Sequence, residues 1–149
     1  MPRVEWVVRG STPFPNALID QAMPLLSDTA WRVLCIVVRQ TFGWHDGPGR
    51  RRSADWLSHS QLKRRSGRQG AAVSRAVDAL CKLRLIAVRD GSGRLLESAA
   101  ERRRSRSSLF YSLRSERRID QRNEHNRSSK TEDNKTNLDK RKQTRGANE

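Results

Sequence analysis

Apolar residues are confined to one part of this chain, and that boundary limits what can fold. Between positions 4 and 113 they recur every few residues, whereas from 115 to 149 only Ile119, Leu138 and Ala147 are apolar. A segment so rich in Asn, Ser, Thr and charge buries too little surface to offset its ordering entropy. Residues 115–149 are therefore expected to form a disordered charged tail. A length of 149 residues suits one core rather than two. The expected organisation is an N-terminal arm over 1–11, one domain over 12–114 and the tail.

The formal net charge is +15, and residues 1–114 hold 21 Lys and Arg against 9 Asp and Glu, compared with 10 against 7 in the tail. The excess belongs to the folding part and favours a polyanionic partner, nucleic acid first. No stretch offers the roughly 18 uncharged apolar residues that span a bilayer, and the basic segments lack a strong apolar face, so no membrane role is expected. Arg3, Glu5 and Arg9 interrupt Val4, Trp6, Val7 and Val8, which leaves no secretory h-region and makes the cytoplasm the expected compartment. Cys35 and Cys81 lie in apolar helical patterns and are read as reduced, buried thiols. His45, His59 and His125 show no zinc spacing, so neither metal nor cofactor is expected. No nucleophile with a base, no paired carboxylates and no phosphate-cradling loop can be assembled, and an enzyme is not expected. His45-Asp46, beside Gly47-Pro48-Gly49, reads as a turn.

The periodicity predicts mainly α structure with a small β-hairpin. Thr12-Pro13-Phe14-Pro15-Asn16 leads into a short helix over 16–23, which Pro24 should stop. Ser27 should cap a second helix carrying Ala30, Trp31, Leu34, Cys35, Val38 and Phe42 at three- and four-residue steps, with Val33, Ile36 and Val37 widening its buried face. Gly43 ends it, Trp44 is expected to pack back on the core, and 45–52 is read as a basic loop. Trp31, Phe42 and Trp44 are taken as core residues rather than as stacking platforms. A short strand over 54–57 should precede a helix capped by Ser58 or Ser60 and holding Leu62, broken at Ser66-Gly67. A longer helix over 69–83 follows, burying Val73, Val77, Leu80 and Leu83. The end of the domain reads as a hairpin: a strand over 85–89, a turn at Asp90-Gly91-Ser92-Gly93, and a return strand over 108–113. The sequence leaves open whether 94–107 is helix or mobile loop.

A short helix, a glycine turn, a longer amphipathic helix and a hairpin follow the order of a winged helix-turn-helix. The second helix of that motif enters the major groove of double-stranded DNA, where each base pair presents a distinct donor and acceptor pattern. Gln69, Gly70, Ala71, Ser74 and Arg75 lie off the buried stripe and are the candidate base-facing set. Gln69 suits adenine, Arg75 suits guanine, and Gly70 and Ala71 permit close approach. Lys63, Arg64, Arg65 and Arg68 surround the turn, where phosphates run. Arg50, Arg51 and Arg52 in the loop, and Arg94, Arg102, Arg103, Arg104 and Arg106 in the wing region, complete the candidates.

Several of these segments resemble the N-terminal domain of lambda-type phage replication protein O. The likeness runs over 12–113 and is carried by Thr12-Pro13-Phe14-Pro15-Asn16-Ala17-Leu18-Ile19, Thr41-Phe42-Gly43-Trp44, Leu57-Ser58-His59-Ser60-Gln61-Leu62, Ser74-Arg75-Ala76 and Leu85-Ile86. It implies a winged helix that binds repeated sites in a replication origin as a homodimer. It further implies recruitment of a helicase loader or helicase through a C-terminal region, here the tail. Arg68 stands where such turns usually carry an apolar residue, which leaves the target sequence open. Two other readings fit the same residues: a winged-helix transcriptional regulator, and a non-specific nucleic-acid or RNA-binding protein dominated by its basic loops and tail.

Overall fold

The structure, a computed structural model, describes residues 10–114; the expected arm up to residue 9 and the expected disordered tail over 115–149 lie outside the described residues. The described part is mixed α and β, with two small antiparallel sheets.

Asn16 and Ala17 open a helical turn that widens into a π-helical turn, Leu18–Ala22, and tightens into a 3-10 turn, Met23–Leu25. Pro24 was expected to stop this helix at 23. Instead it sits in the first turn of the 3-10 segment, where its missing N–H deprives the turn of nothing. Helix α1, Asp28–Thr41, begins as expected, with the Ser27 hydroxyl accepting from the Ala30 N–H at 3.2 Å. Its buried face is Ala30, Val33, Leu34, Ile36, Val37, Val38 and Thr41, while Trp31 and Cys35 are half-buried. Phe14 leans on Trp31, ring centroids 5.5 Å apart, and holds the proline-rich lead against α1.

The chain after α1 differs from the expected loop. Strands β1, His45–Gly47, and β2, Arg50–Arg51, pair antiparallel around Pro48 and Gly49. Gly49 takes a positive φ of 69° there, a conformation open to glycine at little steric cost. Trp44 does not pack into the core; it is half exposed, with the Arg39 guanidinium 5.1 Å from its ring centroid.

Strand β3, Ala54–Trp56, leads to α2, His59–Ser66. Of the two possible caps, Ser58 is the one used: it accepts from the Gln61 N–H at 3.1 Å, and Gln61 Oε1 accepts from the Ser58 N–H at 2.8 Å. Such reciprocal bonds satisfy two donors that a helix start leaves orphaned. Helix α3, Gly70–Lys82, buries Val73, Ala76, Val77 and Leu80. Leu83, expected in that stripe, is 48% exposed. The helix has already closed there: the Leu85 N–H reaches back to the Leu80 carbonyl, with Arg84 left-handed between them.

Strand β4, Ile86–Arg89, and strand β5, Phe110–Leu113, form a sheet ordered β3-β5-β4. The turn after β4 is as expected, with the Gly93 N–H bonded to the Asp90 carbonyl. The region left open by the sequence contains α4, Ala99–Arg104, started by a second capping box between Ser98 and Glu101. One core joins the helices to the inner face of this sheet through Leu34, Val37, Leu62, Val77, Leu80, Val88 and Tyr111. Cys35 and Cys81 are free and partly buried, and burial pushes both thiols up. No helix among the described residues is long and apolar enough to cross a membrane.

Candidate nucleic-acid interface

The turn between α2 and α3 depends on Gly67, whose left-handed backbone (φ 65°) closes α2 by donating its N–H to the Lys63 carbonyl at 3.0 Å. An L side chain disfavours that conformation, and glycine does not. Gln69 then takes the N-cap position of α3 in extended form, and its side chain makes no capping bond. Gln69, Ala71 and Arg75 are exposed, opposite the buried Val73, Ala76 and Val77. Gly70 and Ser74 are half-buried. A Cβ at Gly70 would stand 3.3 Å from His59 Nε2 and 3.4 Å from Lys63 Cδ. What approaches Gly70 closely within the molecule is therefore α2. Ser74 turns into a cleft of about 340 Å³, also lined by His59, Arg102, Arg103 and Tyr111. Burial pushes the Tyr111 phenol up to about 12, so it stays neutral.

The four cations expected around the turn divide. Lys63 and Arg64, in the last turn of α2, are exposed and paired to no described carboxylate. Arg65 donates to Gln40 Oε1 at 2.8 Å, and burial, then the charges of Arg39 and Arg64, hold its pKa below the usual arginine value. Burial is the larger cause, and the two neighbouring guanidinium charges add to it. Arg68 is held by Asp28, which also takes Arg32 at 3.2 Å. Hydrogen bonds from Arg32 and then Arg68 keep the Asp28 carboxyl low. The polar residue in the turn thus ties it to the start of α1.

The other candidates are dispersed, and several are engaged inside the fold. Arg50 is exposed on the β1–β2 hairpin, while Arg51 donates to the Phe42 carbonyl at 3.0 Å. Arg52 bridges Asp46 at 3.0 Å and Asp55 at 2.5 Å. Arg94 pairs with Asp90 at 3.3 Å. The Ser92 hydroxyl above all, with the Arg94 N–H and side chain, holds Asp90 at about 2. Arg102 is buried: it reaches Asp78 Oδ1 at 2.8 Å and donates to the Leu96 and Glu97 carbonyls at 3.3 and 3.0 Å. An arginine so enclosed is not available to a phosphate, contrary to the expectation from its run. Arg103, Arg104 and Arg106 are exposed and pair with no described carboxylate.

Lys63 thus lies against the start of α3 at Gly70, Arg64 is exposed in the same turn of α2, and Arg103 shares the cleft with Ser74. His59 was missed by sequence reasoning. Its signal was the four-residue step to Lys63, which puts both on one face of α2. Arg39 over Trp44 carried no such signal. No cluster of three or more His, Cys, Asp or Glu side chains suited to a metal ion occurs among the described residues. Chemically, the surface offers hydrogen-bond donors and positive charge to an extended polyanion. Compared with known protein families, curated proteins and solved structures, the chain matches none of them.

Proposed function

We propose that this chain is a sequence-specific double-stranded DNA-binding protein of winged helix-turn-helix type. In this reading α3 enters the major groove and the β4–β5 hairpin, enlarged by α4, is the wing. One observation carries it: the left-handed Gly67 turn presents Gln69, Ala71 and Arg75 outward on α3, with Lys63 against Gly70 at its start and Arg64 exposed in the same turn of α2, neither paired to any described carboxylate. Side chains at the start of such a helix reach base edges, and cations at the turn reach phosphates. Gln69 is the adenine candidate and Arg75 the guanine candidate.

The resemblance over 12–113 supplies the setting we infer: initiation at a replication origin of phage or mobile-element type, as a homodimer, with the tail engaging a helicase loader or helicase. The test is selection from random duplexes with the full chain at two salt concentrations, repeated with Arg75→Ala and Lys63→Ala. A defined motif is expected, relaxed at one position by Arg75→Ala and bound uniformly more weakly by Lys63→Ala. Absence of any motif, with affinity falling only through counterion release, overturns sequence-specific binding. A motif acting on a promoter reporter without affecting origin-dependent copying overturns the replication setting alone.

A further inference from the structure

We propose that the outer face of the β3-β5-β4 sheet seats unpaired bases of single-stranded DNA, separately from the duplex surface on α3. The register places Trp56 opposite Phe110 and Phe110 opposite Arg89, so the three form one row across the strands. The neighbouring row, Asp55, Tyr111 and Val88, faces inward: Tyr111 and Val88 are 3% and 0% exposed, and Asp55 accepts from Gln40 of α1 at 2.8 Å. Side chains alternate along strands, so Trp56, Phe110 and Arg89 face away from the core.

Trp56 is 42% and Phe110 36% exposed. Two large aromatic residues paired across neighbouring strands, each more than a third exposed, are more informative than any single exposed apolar residue. The next outward row is Ala54, Ser112 and Ala87, of which Ala54 is exposed, Ser112 half-buried and Ala87 7% exposed, so the open part of this face lies at Trp56, Phe110 and Arg89. At about 4.8 Å between strands the row is roughly 10 Å wide, enough for a base on each ring and a phosphate at its end. Arg89 supplies the cation: it pairs with no described carboxylate, and its Nη1 donates to the Gly93 carbonyl at 3.1 Å, which steadies the guanidinium beside the turn. Aromatic faces flanked by positive charge are the common means of holding single strands without reading sequence.

A second copy is a poorer occupant of this face, because it sets another Arg89 against the first. Helices α1 and α3 pack on the inner side of this sheet, so a single strand on the outer side leaves α3 open to duplex. The choice of DNA over RNA rests on the duplex reading above; the stacking row does not.

The test is binding of the full chain to a labelled oligothymidylate of about 15 nucleotides, near the site size of one single-strand module, beside a duplex containing the selected motif. Trp56→Ala and Phe110→Ala are each expected to weaken oligothymidylate binding about 5- to 100-fold at low and high salt. Trp56→Phe should retain binding, and Arg89→Ala should reduce the salt slope by about one. Duplex affinity should hold in Trp56→Ala, because β3 lies outside the β4–β5 wing. Unchanged oligothymidylate binding in the double aromatic variant overturns the proposal, as does an equal loss on duplex in Trp56→Ala. Tighter binding of oligouridylate through the same rings replaces DNA with RNA. A dimer in light scattering that Trp56→Ala dissociates assigns the face to a second copy. Oligothymidylate binding through Trp56 with no duplex binding at all overturns the duplex reading and leaves the stacking seat in place.

Discussion

The molecule holds two runs of three arginines, Arg50-Arg51-Arg52 and Arg102-Arg103-Arg104, alike as sequence and unlike as structure. The first lies on and beside an exposed two-stranded hairpin, where Arg50 is exposed, Arg51 reaches one carbonyl and Arg52 bridges two carboxylates. The second ends a short helix, where a turn of about 100° per residue sends neighbours in different directions. Arg102 goes inward to Asp78 while Arg103 and Arg104 stay in solvent. A run of like charges is therefore no functional unit. The register against the core, and the nearest carboxylate, decide which members hold the fold and which remain for a partner.

The largest test of that contrast is Arg102→Ala. Its loss strands the Asp78 carboxylate with Lys82 alone and leaves the Leu96 and Glu97 carbonyls without this donor. Breaking an enclosed pair from one side costs about 2 to 4 kcal/mol at a site this partly solvated. Thermal unfolding should fall by roughly 10 to 25 °C, whereas Arg104→Ala should sit within about 0.5 kcal/mol of the parent. Equal melting of the two variants breaks the comparison. The same pair predicts an acid transition. The hydrogen bond from Lys82, and then that from Arg102 against the opposing effect of burial, keep Asp78 below its ordinary 3.8. Its stabilising contribution is thus complete above pH 3.8 and is lost as pH falls below that value through the lowered pKa. Limited proteolysis near Arg103 should rise in that window, and Asp78→Asn should already be susceptible at neutral pH.

Next in size are the cations left for a partner. Arg75→Ala should cost about 1 to 3 kcal/mol of discrimination at one base position, and Lys63→Ala and Arg64→Ala should each lower the salt slope by about one. None of the three should shift the melting temperature appreciably, because none pairs with a described carboxylate. A variant among them that destabilises the fold moves from the second class to the first.

Much of the scaffold was legible because it is local. Ser27 before the α1 stripe, Ser58 three residues ahead of Gln61, and Gly67 between two apolar periods each determine their own neighbourhood within about one helical turn. Ser98 and Glu101 carry the same capping-box spacing and would have identified α4. Pairings across the fold were not legible: Asp78 lies 24 residues from Arg102, and Asp28 lies 40 from Arg68. Trp44 and Leu83 misled because an apolar residue beside a helix end was taken to follow the helix. In the folded chain α1 ends in a hairpin and α3 ends in a left-handed Arg84. At the candidate site, the outward register of α3 was readable from its period, but the diversion of Arg68 to α1 was not.

A smaller effect sharpens the turn itself. Nothing lies within 4 Å of a Cβ built at Gly67, so Gly67→Ala introduces no clash and costs only the left-handed backbone, about 1 kcal/mol. Chemical denaturation should show that loss with an unchanged m-value. A larger cost implies that the turn shifts, and duplex affinity should then fall with it.

The smallest expected effect lies within the first run. Arg52 is partly exposed, as are Asp46 and Asp55. Pairs of that kind contribute little after solvent screening. Arg52→Ala should therefore lower stability only slightly, and more at low salt than at high, with duplex affinity unchanged. Arg50→Ala should do the reverse, leaving the melting temperature alone and lowering affinity if the β1–β2 hairpin lies along phosphates. Should both variants bind duplex as the parent does, the first run belongs wholly to the hairpin and its surroundings, and Lys63, Arg64 and Arg103 mark the extent of the basic interface.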